Sequence, residues 1–348
     1  MIKNVLIRFC SAPSLVVVFL GLSLGCTQEK PLPGPEETVR IGFSLDSLVV
    51  ERWKRDLEYF QRAASDLGAT VFTEIADQDP QVQVKQIQSL LDRGIDVLVV
   101  VPNDAQMLSD VVKSARSRGI PVVSYDRLVL NANVDLYISF DNREVGKLMA
   151  ESLTRRIPMG NYVIINGAKS DFNAKQVREG FYGTLTPLIQ SGQIKLVKEI
   201  WPSTWDSDEI RGELEDFILE YPQIDGILAG NDMLAEAAIE VLTESRLASR
   251  VKVAGQDADL AACQRIAEGT QFSTVYKSVE ELALKAAGFT MMLARGEVVE
   301  TDSKISDGTY QVPFIRLTPV LVTMDNLDDT VIRGGYHSTQ DVYRNIRR

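Results

Sequence analysis

From Val39 onward, short apolar runs alternate with longer amphipathic stretches, and this rhythm restricts the chain more than any other feature. The run VLVVV at 97–101 is apolar at every position, so neither of its faces suits water. That is the pattern of a parallel strand covered by helices on both sides. Strands are expected at 39–43, 70–74, 97–101, 121–125, 136–139, 162–165, 195–200, 226–229, 251–254 and 274–276. Helices are expected between them, at 51–67, 80–93, 105–118, 142–155, 175–190, 208–220, 233–245, 258–268 and 279–295. The class is α/β, with doubly wound parallel sheets.

The rhythm also repeats on a larger scale. GIDVLVVVPNDA at 94–105 and QIDGILAGNDML at 223–234 share Ile-Asp, an apolar strand and then Asn-Asp. Downstream of each copy a further strand ends in aspartate, Asp126 after the first and Asp257 after the second. The intervals are 23 residues from Asn103 to Asp126 and 26 from Asn231 to Asp257. Two similar lobes follow from this order.

The N-terminus reads as an address. Lys3 and Arg8 precede the apolar stretch 15–24, which is too short to span a bilayer but suits the core of a signal peptide. The stretch ends at Gly25-Cys26, with Leu22 and Ser23 before it, and resembles a bacterial lipoprotein processing site, with 1–25 as the leader and Cys26 as the lipidated residue. Residues 26–38 then read as a tether stiffened by Pro31, Pro33 and Pro35, able to reach roughly 35 Å when extended. Loss of Lys3 and Arg8 with the leader takes the formal charge from -11 to -13.

Composition removes several functions. An acidic chain is poorly suited to nucleic acid, whose phosphates call for Lys and Arg. With three cysteines and one histidine, His337, the sequence has no cluster for zinc and no natural Ser-His or Cys-His pair. The acidic runs at 77–79 and 325–329 lack the spacing of a calcium loop. No cofactor is expected.

In open parallel sheets ligands bind beyond the carboxyl ends of the strands. Those positions carry Asp46, Asn103, Asp126, Arg127, Asp141, Asn142, Asn166, Trp201, Asn231, Asp232, Asp257 and Lys277, with Trp53 and Trp205 nearby. Planar polar groups beside indole faces suit a carbohydrate, whose hydroxyls need paired donors and acceptors while its C–H face packs on a ring.

These residues carry a resemblance. ERW at 51–53, SYDR at 124–127, YISFDN at 137–142, FNAK at 172–175, GND at 230–232, GQDADL at 255–260, TVYK at 274–277 and DTVIRGGYH at 329–337 are similar to the periplasmic D-xylose-binding proteins, within the type I, ribose- and galactose-like, binding proteins of ABC importers. The resemblance implies Arg52, Trp53, Asp126, Arg127, Asn173, Trp205, Asn231, Asp257 and Lys277 as sugar-binding residues. It departs from the pattern at Phe172, where a second asparagine would precede Asn173, and around Trp205, which a glycine-containing approach would usually lead into. The implied lobes are 39–141 with 278–307, and 142–277 with 308–337, followed by a tail at 338–348. The hinge crossings are expected at Asp141-Asn142, at Tyr276-Lys277 and within 306–311. The expected function is a non-enzymatic, exported and lipid-anchored receptor, in the periplasm or on the outer face of the cell membrane. It would close over a pentose, D-xylose first, and deliver it to an ABC permease. Alternatives are the same receptor serving a chemoreceptor or histidine kinase, and a carbohydrate-active enzyme using Asp126 and Asp257 as paired carboxylates. A lobed transcriptional regulator would need a helix-turn-helix where the leader stands.

Overall fold

The computed structural model describes residues 38–346 apart from Ser249. The leader, Cys26 and the tether through Glu37 lie outside the described residues.

The first lobe begins with β1 (Val39–Leu45), α1 (Arg52–Asp66), β2 (Ala69–Ile75), α2 (Pro80–Asp92), β3 (Val97–Val101), α3 (Ser109–Ser117), β4 (Val122–Tyr125) and β5 (Leu136–Phe140). These strands pair in parallel in the order β2-β1-β3-β4-β5. All five residues of β3 are buried, as a doubly covered strand requires. Local chemistry sets the helix starts. Asp79 caps α2 by accepting from the amides of Gln81 and Val82, and Pro80 occupies the first helical position, where no amide is needed. The α3 helix starts at Ser109, not at 105, because Asp104 accepts from the amides of Gln106 and Met107 and holds a separate turn.

The second lobe runs through α4 (Asn142–Arg156), β6 (Gly160–Ile165), α5 (Phe172–Gln190), β7 (Ile194–Ile200), α6 (Asp208–Glu220), β8 (Gly226–Ala229), α7 (Asp232–Glu244), β9 (Lys252–Ala254), α8 (Leu260–Glu268) and β10 (Thr274–Tyr276). Its sheet order, β7-β6-β8-β9, repeats the winding of the first lobe. The sequence repeat has a physical meaning in both copies. Asp96 accepts from the amide of Arg40 at 2.7 Å and Asp225 from that of Asn161 at 2.8 Å, so each Ile-Asp pins the start of the neighbouring strand. Each closing aspartate has a left-handed backbone, φ 60° at Asp126 and 102° at Asp257. Each donates its amide to the next strand, to Ile138 O at 2.8 Å and to Val275 O at 2.9 Å.

The chain then returns to the first lobe. The helix α9 (Val279–Ala294) buries Leu282, Ala286 and Met291 against the apolar face of α1 and β1. After it, β11 (Lys304–Ser306) and β12 (Gln311–Leu317) extend the first sheet, with β12 parallel to β5. Only β13 (Val320–Val322) crosses back, pairing with β10. The third crossing is therefore at Thr318 and Pro319, not within 306–311, and residues 308–317 belong to the first lobe. Pairing between strands more than 170 residues apart corrects the expected boundary.

The C-terminus is a second correction. Residues beyond His337 form α10 (Thr339–Val342), and Val342 and Tyr343 are buried with Cys263, Ile266 and Val331. The expected tail is part of the second lobe's core.

Candidate functional site

One cleft between the lobes is lined by Val50, Arg52, Trp53, Asp126, Arg127, Asn142, Asp171, Asn173, Trp205, Asn231, Gln256, Asp257 and Lys277. All nine residues expected from the sequence stand in it. Val50, Asp171 and Gln256 were missed, and Asn142 was singled out as a strand-end position but not as a sugar-binding residue. Asp171 is next to the FNAK run and caps α5 by accepting from the Asn173 amide at 2.8 Å, so capping fully explains its presence in the sequence. Its second oxygen does the unexpected work.

The first lobe's charges are fixed from behind. Arg52 opens α1 and reaches Asp56 at 2.9 Å, Asp126 at 2.9 Å and, across the cleft, Asp257 at 3.9 Å. Tyr125 donates its hydroxyl to Asp56 as well, at 2.5 Å. Burial opposes the charge on Asp126, yet Arg52, Lys277 and Arg127 together hold its carboxyl below the usual range. At Asp56 the balance reverses, and burial outweighs Arg52 to raise the carboxyl. A group aimed into the cleft is thus kept ionised by three cations, while its supporting neighbour is pushed toward the neutral form.

Arg127 joins the lobes. Its guanidinium bonds Asp46 of the first lobe at 2.7 Å and Asp171 of the second at 2.8 Å, with all three side chains buried. It lies 5.2 Å from the centroid of the Trp53 ring and 5.7 Å from that of Trp205, so both indoles border the same small space. Trp205 donates its indole N–H to Asp171 at 3.2 Å. Gly167 makes room for that ring, since a Cβ there would lie 2.1 Å from the Trp205 edge. The FNAK segment adds a further link between lobes. Asn173 donates to the Asp126 carbonyl at 2.8 Å, and Tyr137 donates to the Asn173 side-chain oxygen at 3.1 Å. Phe172 packs against the first lobe's apolar cluster, where an asparagine could not.

The second lobe presents amides. Asn231 uses its oxygen to cap α7, accepting from the Leu234 amide at 2.9 Å, while its buried Nδ2 has no partner within the protein. Capping and facing the cleft are divided between the two ends of one side chain. Gln256 likewise spends its nitrogen on the Gly230 carbonyl at 2.6 Å and keeps Oε1 unpartnered. Asn103, the counterpart of Asn231 in the repeat, instead donates to Asp46 at 2.6 Å, so it supports Arg127 from outside the cleft. Lys277, at the second crossing, pairs with Asp257 at 2.7 Å.

Every cation in the cleft therefore has a carboxylate partner, and no positive charge is left over for an anionic ligand. What remains are polar atoms in fixed planes and two indole faces.

Two doubly wound lobes, three crossings and a charge-balanced cleft between them define a ligand-enclosing binding protein. Residues 41–297 match the family described as a periplasmic binding protein domain, and the chain belongs to that family. It is 38% identical over 342 residues to the D-xylose-binding periplasmic protein of Escherichia coli, covering 98% of this chain and 99% of that protein. It is 39% identical over 306 residues to the D-xylose-binding periplasmic protein of Haemophilus influenzae, covering 88% of this chain and 92% of that one. Among solved structures, a carbohydrate transporter solute-binding protein from Chloroflexus aurantiacus in complex with D-glucose superimposes with a TM-score of 0.82 at 27% identity, covering 88% of this chain and 98% of that one.

Proposed function

We propose that this protein is an exported receptor that closes over D-xylose and presents it to an ABC permease, held at the membrane surface through lipid on Cys26. The observation that carries the reading is the charge-balanced cleft, bordered by Trp53 and Trp205, in which Asn231 Nδ2 and Gln256 Oε1 have no protein partner. Neutral hydroxyls satisfy both kinds of group, and a C–H face suits the indoles. D-xylose is the first choice because two relatives named for it match this chain over most of their length. Asp126 and Asp257 serve in this reading as hydrogen-bond acceptors, each already engaged by Arg52 or Lys277.

A thermal-shift panel of pentoses and hexoses tests the assignment. A ligand at a hundred times its Kd adds about 2.7 kcal/mol of apparent stability. D-xylose should therefore raise the melting temperature by about 5 °C or more, and more than any hexose. A larger shift with a hexose would reassign the sugar. Product formed from xylosides would overturn the receptor reading in favour of an enzyme. Cys26→Ser should move the protein from the membrane fraction to the soluble one; retention at the membrane would remove the lipid anchor from the proposal.

A further inference from the structure

The chain's one histidine lies outside the cleft and has no part in the function above. His337 is buried at 5% exposure between the lobes. Its Nε2 is 2.8 Å from the carbonyl of Ala258, and its Nδ1 is 3.3 Å from a guanidinium nitrogen of Arg55. A carbonyl can only accept and a guanidinium can only donate. The neutral ring with its proton on Nε2 satisfies both neighbours at once, whereas the other tautomer and the imidazolium would set donor against donor.

The two neighbours belong to different lobes. Arg55 is on α1, bonds the Tyr336 carbonyl at 2.7 Å and lies over the Tyr336 ring at 4.6 Å. Ala258 follows Asp257, and both residues have left-handed backbones, φ 102° at Asp257 and 55° at Ala258. A non-glycine pair in that region is held by its surroundings. Here Thr274 receives the Ala258 amide at 3.1 Å and His337 grips its carbonyl. The turn that aims Asp257 into the cleft is thus supported from behind by a ring that the first lobe also holds.

We propose that Arg55 and His337 form a closure clasp: a contact made only when the lobes shut, through which His337 acts as a positioning residue for Asp257. Arg52, which reaches Asp257 across the cleft, and Arg55 stand three residues apart on α1, about 4.5 Å along its axis. Because both arginines ride on α1, an opening that moves α1 away from Asp257 also moves Arg55 relative to Tyr336 and His337. The clasp rests on the receptor reading, and it places part of the closure energy outside the sugar site.

With a single histidine, the imidazole nitrogens of the 15N-labelled exported protein give unambiguous signals. They are recorded with and without D-xylose while calorimetry follows binding, in the wild type, Arg55→Met and Arg55→Lys. With sugar bound, the ring should show a protonated Nε2 and a hydrogen-bonded, unprotonated Nδ1; without sugar, the Nδ1 resonance should move to that of an unbonded nitrogen. Arg55→Met should show the unbonded nitrogen in both states and bind D-xylose roughly tenfold more weakly. Arg55→Lys, which can still donate, should recover part of both. An Nδ1 signal unmoved by a sugar that calorimetry shows to be bound, or full affinity in Arg55→Met, would overturn the clasp and leave the receptor reading intact. No D-xylose binding by the wild type would overturn the receptor reading and the clasp with it.

Discussion

On the first-lobe side of the cleft, Arg52 and Arg127 are gripped by Asp56, Asp126 and Asp46 before any ligand arrives, whereas on the second-lobe side Asn231 and Gln256 each keep one polar atom unspent. Both sides carry the same repeated sequence pattern, and Asp126 and Asp257 both have a positive φ. Their side chains differ in what they bond. Asn103 in the first lobe props the Asp46–Arg127 pair, while Asn231 in the second has an unpartnered Nδ2. In the proposed function the first lobe therefore supplies most of the charged frame, and the second supplies the amides of Asn231 and Gln256 to match the sugar. Under the proposed function, discrimination among hydroxyl patterns falls on these unpaired atoms, together with the unpartnered indole N–H of Trp53 in the first lobe, because a ligand lacking the right hydroxyl leaves them unsatisfied.

The buried ion pairs of the two lobes are where the largest effects are expected. Arg127→Ala would leave Asp46 and Asp171 buried without their cation, a loss of about 3–5 kcal/mol, and Asp257→Ala would strand Lys277. Each should weaken D-xylose binding by about a thousandfold or more in calorimetry, with the circular dichroism spectrum unchanged. Retained affinity in Arg127→Ala would break the first-lobe frame, and retained affinity in Asp257→Ala would remove the Asp257–Lys277 pair from the sugar site.

Gly167→Ala comes next. The added methyl meets the Trp205 ring, so the indole must leave its place beside Arg127. Affinity should fall by roughly 30-fold, in line with about 2 kcal/mol for a displaced aromatic wall, while Trp205 fluorescence shifts. Asn231→Ser sharpens the comparison further, because serine can still cap α7 but cannot reach with an amide. It should lose roughly tenfold in affinity for D-xylose, narrow the gap to other pentoses and leave the melting temperature of the free protein nearly unchanged. A large drop in melting temperature would assign Asn231 to the helix alone.

The smallest effect is one of pH. Burial lowers His337 to about 4 from its ordinary value near 6.5. Between those values the unfolded chain binds the extra proton and the folded protein does not, so stability falls as pH drops from about 6.5 toward 4. His337→Gln should lose that component of the slope in urea denaturation followed against pH. An unchanged slope would place the acid sensitivity elsewhere.

Much of this was legible in the chain. Strands covered on both faces are apolar throughout, so the order of elements through α9 could be read directly; the strand-end rule collected Asp126, Arg127, Asn142, Asn231, Asp257 and Lys277 of the cleft, and the family resemblance added Arg52, Trp53, Asn173 and Trp205. Three features were hidden for physical reasons. Asp171 reads as a helix cap because it is one, and only the folded geometry brings its other oxygen to Arg127. Gln256 sits beside Asp257 but shows its role only through which end of its amide Gly230 has taken. The third crossing was misplaced because β12 carries no local mark of its partner, and β5 lies more than 170 residues earlier. Pairing at that separation is a property of the assembled sheet.

The central claim is that two differently equipped lobes shut around D-xylose. Small-angle scattering of the wild-type protein, titrated with D-xylose, tests it most directly. The account predicts a radius of gyration that decreases and saturates at one sugar per chain, with no decrease in Asp257→Ala. D-xylose bound in calorimetry with an unchanged radius of gyration would contradict closure.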